Sequence, residues 1–241
     1  MLKKIIPIIL IVFLINLTAC DIYINKEKGA INGLYEKEVL TSNVTIKTYV
    51  GFETLYSQGS GVIFYKDESS YYALTNNHVL YGSNSYKVVD CYGDKYWSEL
   101  IYSDAKYDLA ILRFVSEKQD YFVPTIANND PTEKTPIISI GSPNGIINSI
   151  SLGIVEKYES VADVDEQATL NEVGSEVSFN VISHTAKVDG GSSGGAIFNY
   201  SYEICGINFA CGINSSGEFV SGYAIQPSKI LEFLNLAQFD V

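Results

Sequence analysis

Short runs rich in valine, isoleucine, tyrosine and phenylalanine, broken by turn formers, recur along most of this chain and set the strongest limit on its fold. A first set lies at about 43–115: "VTIKTYV", "GVIFY", "YYALTN", "YKVVDCY", "WSELIY" and "LAILRFV". Residues 116–135, "SEKQDYFVPTIANNDPTEKT", are polar, carry two prolines and read as a linker. A second set fills about 136–226: "PIISIG", "SISLGIVEKYE", "VSFNVISH", "GAIFNY", "ICGINFA" and "FVSGYAI". Strands this short, joined by turns at this spacing, build antiparallel barrels or sandwiches. The segment 227–239, "PSKILEFLNLAQF", places Pro and Ser ahead of apolar residues at helical spacing and predicts one closing helix. The expected fold over 41–241 is therefore all-β: two β units, a linker and a C-terminal helix.

The N-terminus has another character. Lys3 and Lys4 precede the apolar run "IIPIILIVFLIN" at 5–16, and "LTAC" follows at 17–20. A basic start, a short apolar core and small residues at its end make a secretory signal peptide over 1–19. The apolar run is shorter than the roughly 20 residues that span a bilayer. "LTAC" resembles the lipobox of bacterial lipoproteins, which implies cleavage before Cys20, lipidation of its thiol and anchoring to the outer face of a bacterial membrane. Residues 20–40 mix charge and turn formers and read as a tether. Lipidation of Cys20 would leave three free cysteines, Cys91, Cys205 and Cys211, an odd set that argues against a disulfide framework. With two histidines and no CxxC pair, neither a metal site nor another cofactor is expected. The net charge of −12, without a Lys/Arg cluster, argues against nucleic acid as a partner. The stretch 158–176 carries acidic residues and no basic ones; it reads as an exposed loop, because the further ligands and glycine of a calcium loop are missing.

Three segments carry chemistry. "YYALTNNHVLYG" puts His78 at a turn after an apolar strand, "SDAKYDLAILRF" puts Asp108 at the head of another, and "DGGSSGGAIF" puts Ser193 inside a glycine turn. A serine hydroxyl is a poor nucleophile at neutral pH and needs a base within hydrogen-bond reach. Histidine supplies that base, and a buried carboxylate holds it in one tautomer. The glycines give the turn the φ freedom to aim the Gly191 and Ser193 N–H groups at a developing oxyanion. Asp104 competes with Asp108 but lies in the turn "SDAKY"; Ser192 competes with Ser193, but only Ser193 is followed by Gly-Gly. His184 reads as structural or pocket-lining.

Taken in order, "GSGVIF", "ALTNNHVL", "DLAILRF", "IISIGSPNG…SISLGIV", "GSSGGAIFN…CGIN" and "GYAIQPS" resemble the landmarks of trypsin-like proteases of the HtrA (Deg) type, from about residue 59 to 228. The resemblance implies two chymotrypsin-like β-barrels with a cleft between them and a polypeptide substrate. It implies His78 as general base, Asp108 as its orienting acid, Ser193 as nucleophile, and Gly191 with Ser193 as the oxyanion hole. An extended peptide would add as a strand beside 206–210, with Gly206, Ile207 and Asn208 as contacts. The chain departs from the family at Ser192, where Asn or Asp is usual, and ends at Val241 without room for a PDZ domain. It also carries Lys187 near the expected base of the pocket for the residue before the cleaved bond, where it would favour acidic side chains; the favoured reading is that its side chain points to solvent.

Two rivals deserve comparison. Gly191, Ser193 and Gly195 also satisfy the G-x-S-x-G elbow of α/β-hydrolases, but that fold needs a histidine after the serine and none follows His184. A protease-like fold that no longer cleaves, serving as a surface binding module, is the other alternative; an intact triad argues against it.

Overall fold

The computed structural model describes residues 25–51, 54–117, 120–160 and 174–240. The segment 1–19 expected to be a signal peptide, Cys20 and most of the acidic stretch lie outside the described residues. Among those residues no helix is long and apolar enough to cross a membrane.

Residues 25–36, read from sequence as part of a tether, form a helix, α1, within a separate unit that ends at Glu38. Ala30, Gly33 and Leu34 fall on one face at i, i+3 and i+4 and are buried, a periodicity that the preceding Lys, Glu and Gly residues mask in the sequence.

The second unit, Val39–Val241, holds both barrels. The first is built from β1 (Asn43–Val50), β2 (Thr54–Asp67), β3 (Ser70–Thr75), β4 (Ser85–Val89), β5 (Lys95–Asp104) and β6 (Leu109–Val115). They close in the order β1-β2-β3-β6-β5-β4. The second is built from β7 (Pro136–Gly141), β8 (Ser149–Ser160), β9 (Asn180–His184), β10 (Ala196–Phe198), β11 (Ile204–Ile213) and β12 (Phe219–Ile225), closed as β10-β11-β12-β9-β8-β7. The all-β, two-barrel class expected from the sequence is the observed one. Closure removes the free sheet edges that would otherwise invite aggregation. Because β8 runs to Ser160, Tyr158 and Glu159 are strand residues rather than loop.

Strand alternation fills each barrel. In the first, Val44, Ile46, Ile63, Ala73, Val88, Ala110, Leu112 and Phe114 form the core. In the second, Ile137, Val155, Ile182, Ile197, Cys205 and Ala224 do so. Leu109 and Ile111 point to the opposite side of β6 from Ala110 and Leu112 and are also 0% exposed. The closing helix α2, which spans Pro227–Leu236 and ends three residues before the expected boundary, packs against the neighbouring strand β5. Ile111 is paired with Tyr102, and the Tyr102 ring packs on Phe233 of this helix at 5.3 Å. A helix that leaves the second barrel thus packs against the first.

The linker is tied at both ends. Tyr121 enters the first core and its hydroxyl donates to Asp90 Oδ2 at 2.7 Å, while Ala127 enters the second core. Burial holds the Tyr121 phenol above its ordinary pKa and keeps it a donor.

Candidate active site

His78 lies on a single helical turn, Asn77–Leu80, directly after β3. Val79 and Leu80 of that turn are buried in the first barrel's core and fix its position. Asp108 precedes β6, and β3 pairs with β6 so that Thr75 lies opposite Ala110. Strand pairing therefore sets two residues 30 positions apart side by side. The Asp108 carboxylate accepts the His78 backbone N–H at Oδ1, 2.9 Å, and meets His78 Nδ1 at Oδ2, 2.7 Å. The Asn76 side-chain amide donates to the Asp108 carbonyl at 2.9 Å. Asp108 is 0% exposed and sits at φ 49°, a left-handed conformation that Asp tolerates better than most side chains. Asp104 instead closes the preceding turn, its Oδ1 accepting the Lys106 N–H at 2.8 Å.

Ser193 sits in the turn between β9 and β10, which is held by backbone pairing to β11: Gly194 N–H donates to Asn208 O, and Asn208 N–H to Gly195 O, both at 2.8 Å. Gly194 has φ +86°, and a Cβ there would lie 2.1 Å from the Ser60 carbonyl oxygen, so no larger residue fits. The Gly190 carbonyl accepts the Asn144 N–H at 2.9 Å, and the Ser192 carbonyl accepts the Gly195 N–H at 2.9 Å. In a planar trans peptide the N–H points opposite to the preceding C=O. These two bonds therefore set the directions of the Gly191 and Ser193 N–H groups, neither of which has a partner among the described residues. Ser192, where the family usually has Asn or Asp, accepts the Asp189 N–H on its hydroxyl at 3.1 Å while its own N–H donates to Asp189 O at 2.9 Å. A short side chain thereby closes the turn from within.

His78 and Ser193 face one cavity of about 180 Å³, lined also by Val188, Asp189, Gly190, Ser192, Asn208, Phe209, Ala210 and Cys211. The Ser193 hydroxyl donates to the Phe209 carbonyl at 3.4 Å in this structure rather than to the His78 ring. An imidazole oriented by a buried carboxylate, a hydroxyl on the same cavity and two free N–H groups on one turn can carry out acyl transfer.

Three expected contact residues are placed elsewhere. Lys187 is exposed and outside the cavity lining: it falls between buried Ala186 and Val188, and alternation turns it outward. Gly206 and Ile207 are enclosed, because β11 pairs there with β10 on one side and Ile207 also pairs with Ile225 of β12 on the other. Asn208 does line the cavity, and beyond it β11 has no partner on its β10 side among the described strands, so the open edge runs through Phe209 and Ala210. Sequence reading missed Val188, Asp189 and Cys211 on the cavity wall; the apolar–polar alternation of Ala186, Lys187, Val188 and Asp189 was the signal available for the first.

The two closed barrels define a chymotrypsin-like architecture. Residues 59–207 match the family model described as a trypsin-like peptidase domain, and the chain belongs to that family. It is 35% identical over 162 residues to the serine protease Do-like HtrA of Bacillus subtilis, covering 65% of this chain and 34% of that protein. It is 30% identical over 193 residues to the HtrA of Lactococcus lactis subsp. lactis, covering 77% and 46%. The chain thus matches less than half the length of these relatives. Among solved structures, the Rv3671c protease of M. tuberculosis in its active form superposes with TM-score 0.68 at 18% identity, covering 85% of this chain and 84% of that one. The serine endoprotease of Yersinia pestis gives 0.63 at 24% identity, covering 84% and 66%.

His184 stands behind the cavity wall. It is 0% exposed, its Nε2 bonds Asn208 Oδ1 at 3.0 Å, and Asn208 Nδ2 donates on to Ser139 Oγ at 3.0 Å. Nδ1 makes no hydrogen bond, although the Ala186 backbone lies near enough to favour protonation slightly. Burial depresses the imidazole pKa from 6.5 to about 4, offset only in part by Asn208. The unfolded chain therefore takes up a proton below pH 6.5 that the folded chain refuses until about pH 4. Stability is full above 6.5, falls as pH drops through that window and levels off below it, a loss of about 3 kcal/mol through this group. Urea midpoints at pH 7 and pH 4.5 should fall much less for His184→Gln than for the wild type; equal falls would contradict the assignment.

Proposed function

We propose that the chain is a serine endopeptidase acting outside the cytoplasm, with Ser193 as nucleophile, His78 as general base and acid, Asp108 as orienting carboxylate, and the Gly191 and Ser193 N–H groups as oxyanion donors. The carrying observation is the 2.7 Å contact between His78 Nδ1 and Asp108 Oδ2 on the same cavity as Ser193. Rotation about χ1 takes the Ser193 hydroxyl from the Phe209 carbonyl towards His78. Attack on a peptide carbonyl forms the Ser193–carbonyl bond as His78 accepts the hydroxyl proton. His78 then protonates the leaving amine as the C–N bond breaks. Water, deprotonated in turn by His78, releases the acyl group and regenerates the hydroxyl.

An extended substrate would pair with the open edge of β11 at 209–211, which places the side chain before the cut against Val188, Phe209, Ala210 and Cys211. The wall is largely apolar, and its one charged member is the Asp189 carboxylate, so the site favours apolar side chains and rejects acidic ones. This reverses the selectivity inferred from Lys187. The lipobox-like "LTAC" supports export and anchoring through Cys20, and the relatives include proteins described as probable periplasmic DegP-like endoproteases.

The binding-module alternative draws on the resting Ser193–Phe209 contact, and a fluorophosphonate separates the two readings. The endopeptidase should form an adduct that Ser193→Ala abolishes; an unlabelled wild type would favour the binding module. With a cleaved peptide, Ser193→Ala or His78→Ala should lower kcat on the order of 10⁶-fold and Asp108→Asn by about 10⁴-fold; losses under tenfold would sink the roles. A peptide-library digest by the soluble form, residue 21 onward, should show Val, Leu and Ala before the cut and little Glu; indifference to charge would remove the role of Asp189. In cells, labelled fatty acid should enter the wild type and not Cys20→Ala, and equal labelling would refute the anchor.

A further inference from the structure

Ser60 lies on β2 of the first barrel, in the run "GSGVIF", and is 0% exposed. Every polar atom it has is engaged. Its hydroxyl donates to the Gly191 carbonyl at 2.6 Å and accepts the Ser142 N–H at 2.7 Å. Its own N–H donates to the Ser193 carbonyl at 2.7 Å, and its carbonyl accepts the Thr75 hydroxyl at 2.7 Å. One residue of the first barrel thus grips the carbonyls of both residues whose N–H groups form the oxyanion site, although Gly191 is 131 positions away along the chain.

The grip bears on direction. Gly191, at φ +91°, has the freedom to turn over, and its N–H is aimed by the Gly190 carbonyl, which Asn144 holds. Asn144 belongs to the turn Pro143–Gly145 that follows Ser142. The Ser60 hydroxyl therefore restrains the Gly190–Gly191 peptide from two sides, through the Gly191 carbonyl downstream and through Ser142 into the turn that clamps Gly190. Thr75 ends the strand that leads into Asn76 and His78, so the same residue also touches the general-base side of the site.

We propose that Ser60 is a positioning residue that holds the oxyanion-binding turn in its working shape from the opposite barrel, an inference that rests on the endopeptidase reading. It touches no substrate atom. Its loss frees the turn to sample orientations in which the Gly191 N–H is turned away, which weakens charge stabilisation in the transition state and leaves the peptide-binding edge of β11 in place.

The test is Ser60→Ala in the soluble chain from residue 21 onward. Three readouts are compared with wild type: kcat and KM on a cleaved peptide, inhibition by a peptide trifluoromethyl ketone, whose adduct with Ser193 carries an oxyanion, and peptide binding in a Ser193→Ala background. Removal of a direct oxyanion donor costs about 10²–10³ in kcat; an indirect restraint should cost roughly tenfold to a hundredfold, with KM within about twofold. The ketone should weaken by the same factor as kcat, and the Kd for peptide should be unchanged by the added Ser60→Ala. A kcat within twofold of wild type, or a Kd that weakens as much as kcat falls, overturns the proposal. A wild type inert to both peptide and ketone overturns the endopeptidase reading, and the positioning role with it.

Discussion

Antiparallel pairing of β3 with β6 is the contact on which the site depends. Thr75 lies opposite Ala110, so the residues just beyond one strand and just before the other emerge at the same end of the barrel. That places Asn76, His78 and Asp108 within hydrogen-bond reach and buries the carboxylate against two donors from His78. A buried carboxylate is costly unless it is paired, and the same desolvation that makes it costly makes it an effective anchor for the imidazole. A slip of one residue between these strands would exchange their inward and outward faces, removing core and site together.

The second half of the site is made differently. The turn around Ser193 has little packing of its own; it is suspended between backbone partners, with β11 behind it, the turn Pro143–Gly145 on one side and Ser60 of the other barrel on the third. Gly194 lies against the Ser60 carbonyl with no space for a Cβ. Two rigid barrels meeting across a glycine turn give a precise backbone shape without a long side-chain scaffold. The closing helix adds to this by packing Phe233 on Tyr102 and Tyr107 of the first barrel.

Buried polar groups stand behind the cavity in a hydrogen-bonded chain that leaves His184 Nδ1 without a hydrogen bond. His184 contacts Asn208, and Asn208 contacts Ser139 and, through its backbone, Gly194 and Gly195. Cys205, on the same strand as Asn208, is a buried thiol pushed up to about 12 by desolvation, a packing residue rather than a reactive one. Cavity wall and Ser193 turn thus share one support.

Much of this was legible in the amino-acid sequence, because strand period, turn chemistry and the residue types needed for acyl transfer are local properties. They were enough to expect an all-β fold of barrels or sandwiches, which the family resemblance narrowed to two barrels, to single out His78, Asp108 and Ser193, and to separate Asp108 from the turn residue Asp104. They were not enough for α1, whose apolar face is thin; for Lys187 they left a pocket role open beside the favoured solvent-facing one, and the burial of Ala186 and Val188 leaves it exposed. Gly206 and Ile207 were lost to strand pairing, Gly206 with β10 and Ile207 with β10 and β12, and Ser60 carried no local mark of its part. What the sequence by itself determined was the kind of strand, turn and side chain at each position. Only the tertiary structure decided which of them meet, since barrel closure and contacts such as Ser60 with Gly191 join residues that no local periodicity relates.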